Sequence, residues 1–234
     1  MALKYQLLKN VVKEIANENG TPIKLFRIKR LSDGVIGGWI ESEKNLSKFG
    51  DCFIYGQAIV MGNAKVEDNA TISEYATICG NAVVSRNAEI FGRAVVRDNA
   101  KVTKSAQVYD RAIIKDRAVI RGKTKIYGHA VVGGRCSVDN YAKVYGNATV
   151  IDDVHIFCHA QVFGDAYLQG YHLVYNNAKI SEGEPDAEII RRRHIPNESA
   201  SIEAEIHFER DFDRVSKAYD EKLKAREEEF EDVC

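Results

Sequence analysis

Proline is scarce in this chain: Pro22, Pro185 and Pro196 are the only three among 234 residues. None falls between Cys52 and Gly183, so no missing N–H interrupts a β-ladder there. Cysteine occurs five times, as Cys52, Cys79, Cys136, Cys158 and Cys234, without a single CxxC pair. These spacings suggest neither a disulfide framework nor zinc, and a reducing cytoplasm is the expected setting. No apolar run approaches the roughly 18 residues of a membrane span. The opening MALKYQLLKNVVKEIANENG lacks the apolar core of a signal peptide. No Gly-rich phosphate loop and no Ser-His-Asp arrangement is visible. The net charge of -1, with no recognised nucleic-acid module, argues against nucleic acid as a partner.

What the chain does have is a repeat. From residue 52 to 183, twenty-two six-residue units follow one another without insertion or deletion, as in NAKVED, NATISE, RAVVRD and NATVID. Strict self-similarity at a fixed period defines the architecture before any propensity argument. The first position is Ala in seventeen units, and the third is aliphatic in all of them. Alternation over four residues rich in Val and Ile predicts a strand with positions one and three inward and two and four outward. Positions five and six hold Gly, Asp, Asn and Arg, the choice of a tight turn.

A strand every six residues must pair with one a full coil away. Tyr55, Phe91, Tyr109, Tyr127, Tyr145 and Phe163 share the fourth position in every third hexad, with Ser73 the one gap. Three hexads therefore make one triangular coil. The expected fold is an all-β solenoid of about seven coils, roughly 35 Å long at ~4.8 Å per coil. Four segments are expected: a hairpin cap over 1–51 turning near Asn19-Gly20, the solenoid over 52–183, a linker over 184–200, and an acidic amphipathic helix over 201–234. The helix prediction rests on the stripe Phe208, Phe212, Val215, Tyr219, Leu223 and Phe230. Trp39, the one tryptophan, is expected over the open end of the core.

The triangle sorts outward residues into three faces. The first carries the aromatic column, which stabilises neighbouring strands by stacking. The second carries Ile59, Thr77, Val95, Ile113, Val131, Thr149 and Tyr167. So apolar a strip predicts a covered surface. Arg93, Arg97, Arg111, Lys115, Arg117 and Arg135 form its basic margin. Residues 184–234 hold 9 basic and 16 acidic groups, so the C-terminal helix, from the same or a neighbouring subunit, is the expected cover. The third face is mixed.

The hexads resemble the left-handed parallel β-helix of hexapeptide-repeat proteins, and the handedness comes from that resemblance alone. More narrowly, the IKRL-like strand, GGWIESEKNLS and GDCFIYG, over residues 24–56, are similar to a family of bacterial and phage hexapeptide-repeat proteins. Those are often described as acyltransferases or left uncharacterised. The resemblance implies a homotrimer, a bacterial or phage setting, and a host or phage protein as possible partner. It brings no catalytic residues to carry over.

Two functions follow. One is a non-enzymatic oligomeric scaffold that binds proteins through its faces and its acidic helix, such as an inhibitor or assembly factor. The other is an acyl-CoA-dependent acyltransferase working at a subunit groove. Acyltransferases of this fold often extrude a loop from a coil to build the site, and the unbroken hexads leave no room for one. The best catalytic candidates are in HIFCH, where His155 or His159 near Cys158 could act as a general base. The resemblance also suggests checking for the three-histidine zinc site of γ-class carbonic anhydrases. His129 and His155 are not separated by a whole number of coils, and His172 holds an inward position, so no metal is expected. No cofactor is expected unless acyl-CoA serves the second function.

Overall fold

Two residues of each hexad are enough to make a strand, because the rest of the unit is corner. The computed structural model describes residues 3–16, 20–182 and 189–191. Strands such as Val95–Val96, Ile113–Ile114 and Val131–Val132 pair in parallel, each three hexads from the next. Three such ladders run along the solenoid. The one that begins with Phe53–Ile54 forms an eight-stranded sheet of its own. The other two join into a sixteen-stranded sheet, because Thr149–Ile156 and Tyr167–Val174 run through a corner as continuous strands. Over the described residues the chain is an all-β parallel solenoid of about eight turns with almost no helix.

The inward column is as the hexad requires. Ala112, Ile114, Ala130 and Val132 are fully buried, and the equivalent positions stay below 10% exposure along the stack except at half-buried His172. Each buried Val or Ile contributes about 1.5–3 kcal/mol before chain entropy is set against it. The corners explain the fifth position. Asp68, Asp98, Asp110, Asp116 and Asn140 all have φ between 57° and 61°, where Asn, Asp and Gly are the tolerated residues. The Asp side chains also bond upward. Asp98 Oδ2 accepts from the Asp116 amide at 3.1 Å, and Asp116 Oδ2 from the Gly134 amide at 2.9 Å. Asparagines at position six form a second ladder, Asn63 to Asn81 to Asn99, at 3.1 Å per step.

The N-terminal hairpin is β1 (Tyr5–Ala16) and β2 (Pro22–Arg30), antiparallel with Ala16 opposite Pro22. β2 pairs antiparallel with β3 (Ile36–Ile40), which then pairs in parallel with Ile59–Val60. The hairpin thus extends the second-face sheet. The solenoid also begins earlier than the hexads indicate. Trp39 pairs with Ile59, and Leu46 bridges Val66, each two positions further along the chain than three hexads would reach. These extra positions, in the corner before Cys52, hide the first turn from a strict six-residue period, so the expected count of about seven coils becomes about eight.

Gly37 and Gly38 let β3 pass the end of the core. A Cβ on Gly37 would lie 2.5 Å from the Ile54 carbonyl oxygen, and one on Gly38 would lie 2.6 Å from that of Ala58. Asn45, fully buried, fastens the same turn. Its amide donates to the carbonyls of Gly62 and Ala64 at 2.9 Å, and its oxygen accepts from the Ser42 amide. Trp39 does not lie over the open end of the core. Its backbone register with Ile59 sends the indole outward, onto the second face. There the Arg27 guanidinium lies 4.6 Å and the Lys13 ammonium 5.8 Å from its ring, and its N–H donates to Gln57 at 3.1 Å. Tyr5, Ile28, Leu46 and Phe53 join the end of the core instead.

At the other end, Ile189–Arg191 pairs antiparallel with His172–Val174. The expected C-terminal helix, with Phe208, Phe212, Val215, Tyr219 and Leu223, lies outside the described residues.

Candidate functional site

The three-hexad register decides which side chains can meet, and it separates the HIFCH residues. His155 projects from the third face, between Ser137 and Leu173 in the ladder. Its ring lies 6.1 Å from that of Tyr171, tilted by 58°. Burial pushes its pKa down from 6.5 to about 4; Asp153 opposes this, while Arg121 and Arg135 add to it. Cys158 occupies a corner at φ 60° and is 2% exposed. It packs with Phe157, Leu173 and Tyr175. His159, one residue on, is exposed and stacks on Tyr141 with ring centres 5.0 Å apart. The three residues thus have three different surroundings: a half-buried face, an apolar corner and an exposed stack.

The depressed pKa has a consequence for stability. The unfolded chain protonates His155 near pH 6.5 and the folded chain only near 4, so the unfolded state takes up the proton first as pH falls. The contribution is complete above about 6.5 and is lost towards 4, by about 3 kcal/mol at most. We expect His155→Gln to flatten that decline in urea melts between pH 6.5 and 4. An unchanged slope in the variant would contradict the assignment.

Beside this histidine lies an ion pair that the sequence does not announce. Arg121 Nε donates to Asp139 Oδ2 at 2.5 Å, and Asp139 is 1% exposed. Its other oxygen accepts from the Asn140 amide at 2.6 Å. Arg121 and Asp139 both hold the fourth position and are one coil apart, so the register that found the aromatic column also contains this pair. Lys4 is equally hidden to sequence: its ammonium donates to the buried Cys52 sulfur at 3.2 Å.

On the second face, Ile59, Thr77, Val95, Ile113, Val131 and Thr149 are half-buried, and Tyr167 is 61% exposed. Much of its basic margin is paired with acidic neighbours. Arg97 lies 3.8 Å from Asp98 and Lys115 3.7 Å from Asp116. Arg135 holds Asp153 through two bonds of 2.7 Å. Arg93 lies over Tyr75 at 5.8 Å, while Arg111 and Arg117 are exposed. Pairs at this degree of exposure contribute ~0–1 kcal/mol each, so they solubilise the margin more than they stabilise it.

The first face is a stack. Phe91, Tyr109, Tyr127, Tyr145 and Phe163 follow at centroid separations of 4.8, 5.0, 4.9 and 5.1 Å, with neighbouring rings within 9° of parallel. That separation is the strand spacing itself. Burial raises the phenol pKa values of Tyr109 and Tyr127.

A hollow of about 210 Å³ at the N-terminal end is lined by Lys4, Tyr5, Lys9, Glu43 and Lys48 among others, and holds none of the candidate residues. Among the described residues, no group of three or more His, Cys, Asp or Glu could hold a metal ion, and no helix is long and apolar enough to cross a membrane. The fold defines the class of the chain, an all-β parallel solenoid. No protein-family model matches it, and no curated protein matches it.

Proposed function

We propose that the chain is a non-enzymatic, oligomeric interaction scaffold that binds other proteins through its solenoid faces and its acidic C-terminal segment, as a phage-encoded inhibitor or assembly factor does. The observation that carries this reading is the apolar column of the second face. Ile59, Val95, Ile113 and Val131 recur at whole-coil spacings on an outward surface, half-buried and bordered by charge. A flat, regular strip of this kind suits a protein surface better than a small molecule, which needs a concave site. The resemblance of the hexads supports a left-handed parallel β-helix assembled as a trimer, the apolar stripe from Phe208 to Phe230 supports a C-terminal helix, and the cysteine spacing supports a cytoplasmic setting.

The acyltransferase reading finds less support. His155, at a pKa of about 4, is a weak base at neutral pH. Cys158 is buried among apolar side chains, and His159 stacks on Tyr141.

Sedimentation equilibrium tests the assembly. The chain is expected to give three times its 26.2 kDa mass. Ile113→Asp with Val131→Asp is expected to abolish binding of a partner or the trimer itself, without changing the far-UV spectrum. A monomer that behaves identically with and without the two aspartates would remove the second face from the account.

A further inference from the structure

Four lysines of the solenoid gather where the third face turns into the first. Lys104 and Lys123 sit in that corner in neighbouring coils. Lys125 and Lys143 follow at the first outward position of the first face, where they are direct partners in the ladder. The four lie within about 10 Å along the axis, two steps of the strand spacing. Lys104, Lys123 and Lys125 are exposed, and Lys143 is half-buried. Like charges directly opposite each other destabilise a ladder, and here no acid offsets them. Among the described residues none of the four lysines forms an ion pair. Asp139, which leads into the same corner, is 1% exposed and bound by Arg121. Glu89, two coils before Lys125, accepts from Gln107 at 2.8 Å. Arg97, Lys115 and Arg135, by contrast, each face a carboxylate. The corner is a local surplus of positive charge in a chain whose net charge is -1.

The chemistry of the corner selects among anions. A lysine is a compact point charge, without the planar fork by which arginine grips phosphate through two bonds. Bases of a single-stranded nucleic acid need a free aromatic face, and these rings are already covered. Lys123 lies 5.4 Å from the ring centre of Tyr141, and His159, from the coil on the other side, stacks on it at 5.0 Å. Tyr109, Tyr127 and Tyr145 cover one another at 5.0 and 4.9 Å. A corner is convex, so it does not enclose a small anion as a pocket does. A run of carboxylates on another protein meets all three limits, since it brings several charges without a fork, a stack or a cavity.

We propose that the corner formed by Lys104, Lys123, Lys125 and Lys143 docks an acidic segment of a partner protein. The contact is electrostatic, quick to form and weakened by salt. The proposal rests on the scaffold reading and deepens it by giving the partner an acidic segment. The apolar second face is a separate surface with its own test.

Fluorescence anisotropy of a labelled octaglutamate peptide, titrated with the full-length chain, tests the corner. We expect saturable binding whose Kd rises at least tenfold between about 50 and 300 mM salt. Lys123→Gln/Lys125→Gln/Lys143→Gln is expected to weaken binding at least tenfold. Its far-UV spectrum should be unchanged and its melting midpoint no lower, because like charges have been removed. Lys24→Gln/Lys44→Gln/Lys65→Gln removes the same charge from exposed positions elsewhere, and should weaken binding less than threefold. No saturable binding, equal losses in the two triple variants, or an eight-residue oligothymidylate that binds as tightly as the peptide would each overturn the proposal. All of these outcomes leave the second face to be decided by Ile113→Asp with Val131→Asp.

Discussion

Ile114→Ala is expected to destabilise the chain by about 4 kcal/mol, towards the upper part of the range for such a truncation. Ile114 is fully buried and lies between Val96 and Val132 in its ladder. The cavity has little means of closing. Backbone bonds from Arg97 to Ile114 and from Lys115 to Val132, 2.9 and 3.0 Å long, fix the spacing of the coils. The walls facing the gap are alanines and aliphatic side chains already fully buried. A solenoid couples each coil only to its neighbours, so position along the stack matters. Ile180, 4% exposed in the last hexad, has coils on one side only among the described residues, and Ile180→Ala is expected to cost less than half as much. Urea melts of the two variants check this. Equal losses would show that the coils do not act as a nearest-neighbour stack.

Gly38→Val is expected to detach the N-terminal hairpin before the coils unfold, at a cost of about 3 kcal/mol or more. The new Cβ would lie 2.5 Å from Ile54 Cγ2 and 2.6 Å from the Ala58 carbonyl oxygen. The oxygen cannot retreat, because it accepts the Trp39 amide at 2.8 Å. The strain therefore falls on β3, whose pairing with Ile59–Val60 joins the hairpin to the solenoid. Trp39, at 9% exposure and the single tryptophan, reports this joint. In the variant its fluorescence should shift to the red at lower urea than the loss of far-UV ellipticity. Coincident transitions at the original midpoint would contradict the role given to the Gly-Gly step.

Much of this architecture was legible because a hexad leaves little ambiguity. An outward and an inward position alternate, a turn follows, and the sum of three units sets the ladder. The aromatic stack from Phe91 to Phe163 and the apolar column through Ile113 followed from that phase alone. The place of Trp39 is not legible in the repeat, because the hexads begin only at Cys52, whereas the first turn is longer than three hexads and its strand is marked only by Gly37 and Gly38. The Arg121–Asp139 pair is hidden in the sequence for a different reason. Charged residues at outward positions are ordinarily solvated, and only burial distinguishes this carboxylate from the exposed acids at neighbouring corners. The residue types of HIFCH suit catalysis, but adjacency in sequence places His155, Cys158 and His159 on a face, a corner and the far side of that corner.

Acyl-CoA binding followed by calorimetry tests the central claim most directly, since the scaffold and acyltransferase readings part there. No saturable heat is expected at millimolar acetyl-CoA, for the chain as it stands and for His155→Ala and His159→Ala alike. Saturable binding that either substitution abolishes would contradict it, and would return the solenoid to the enzymes.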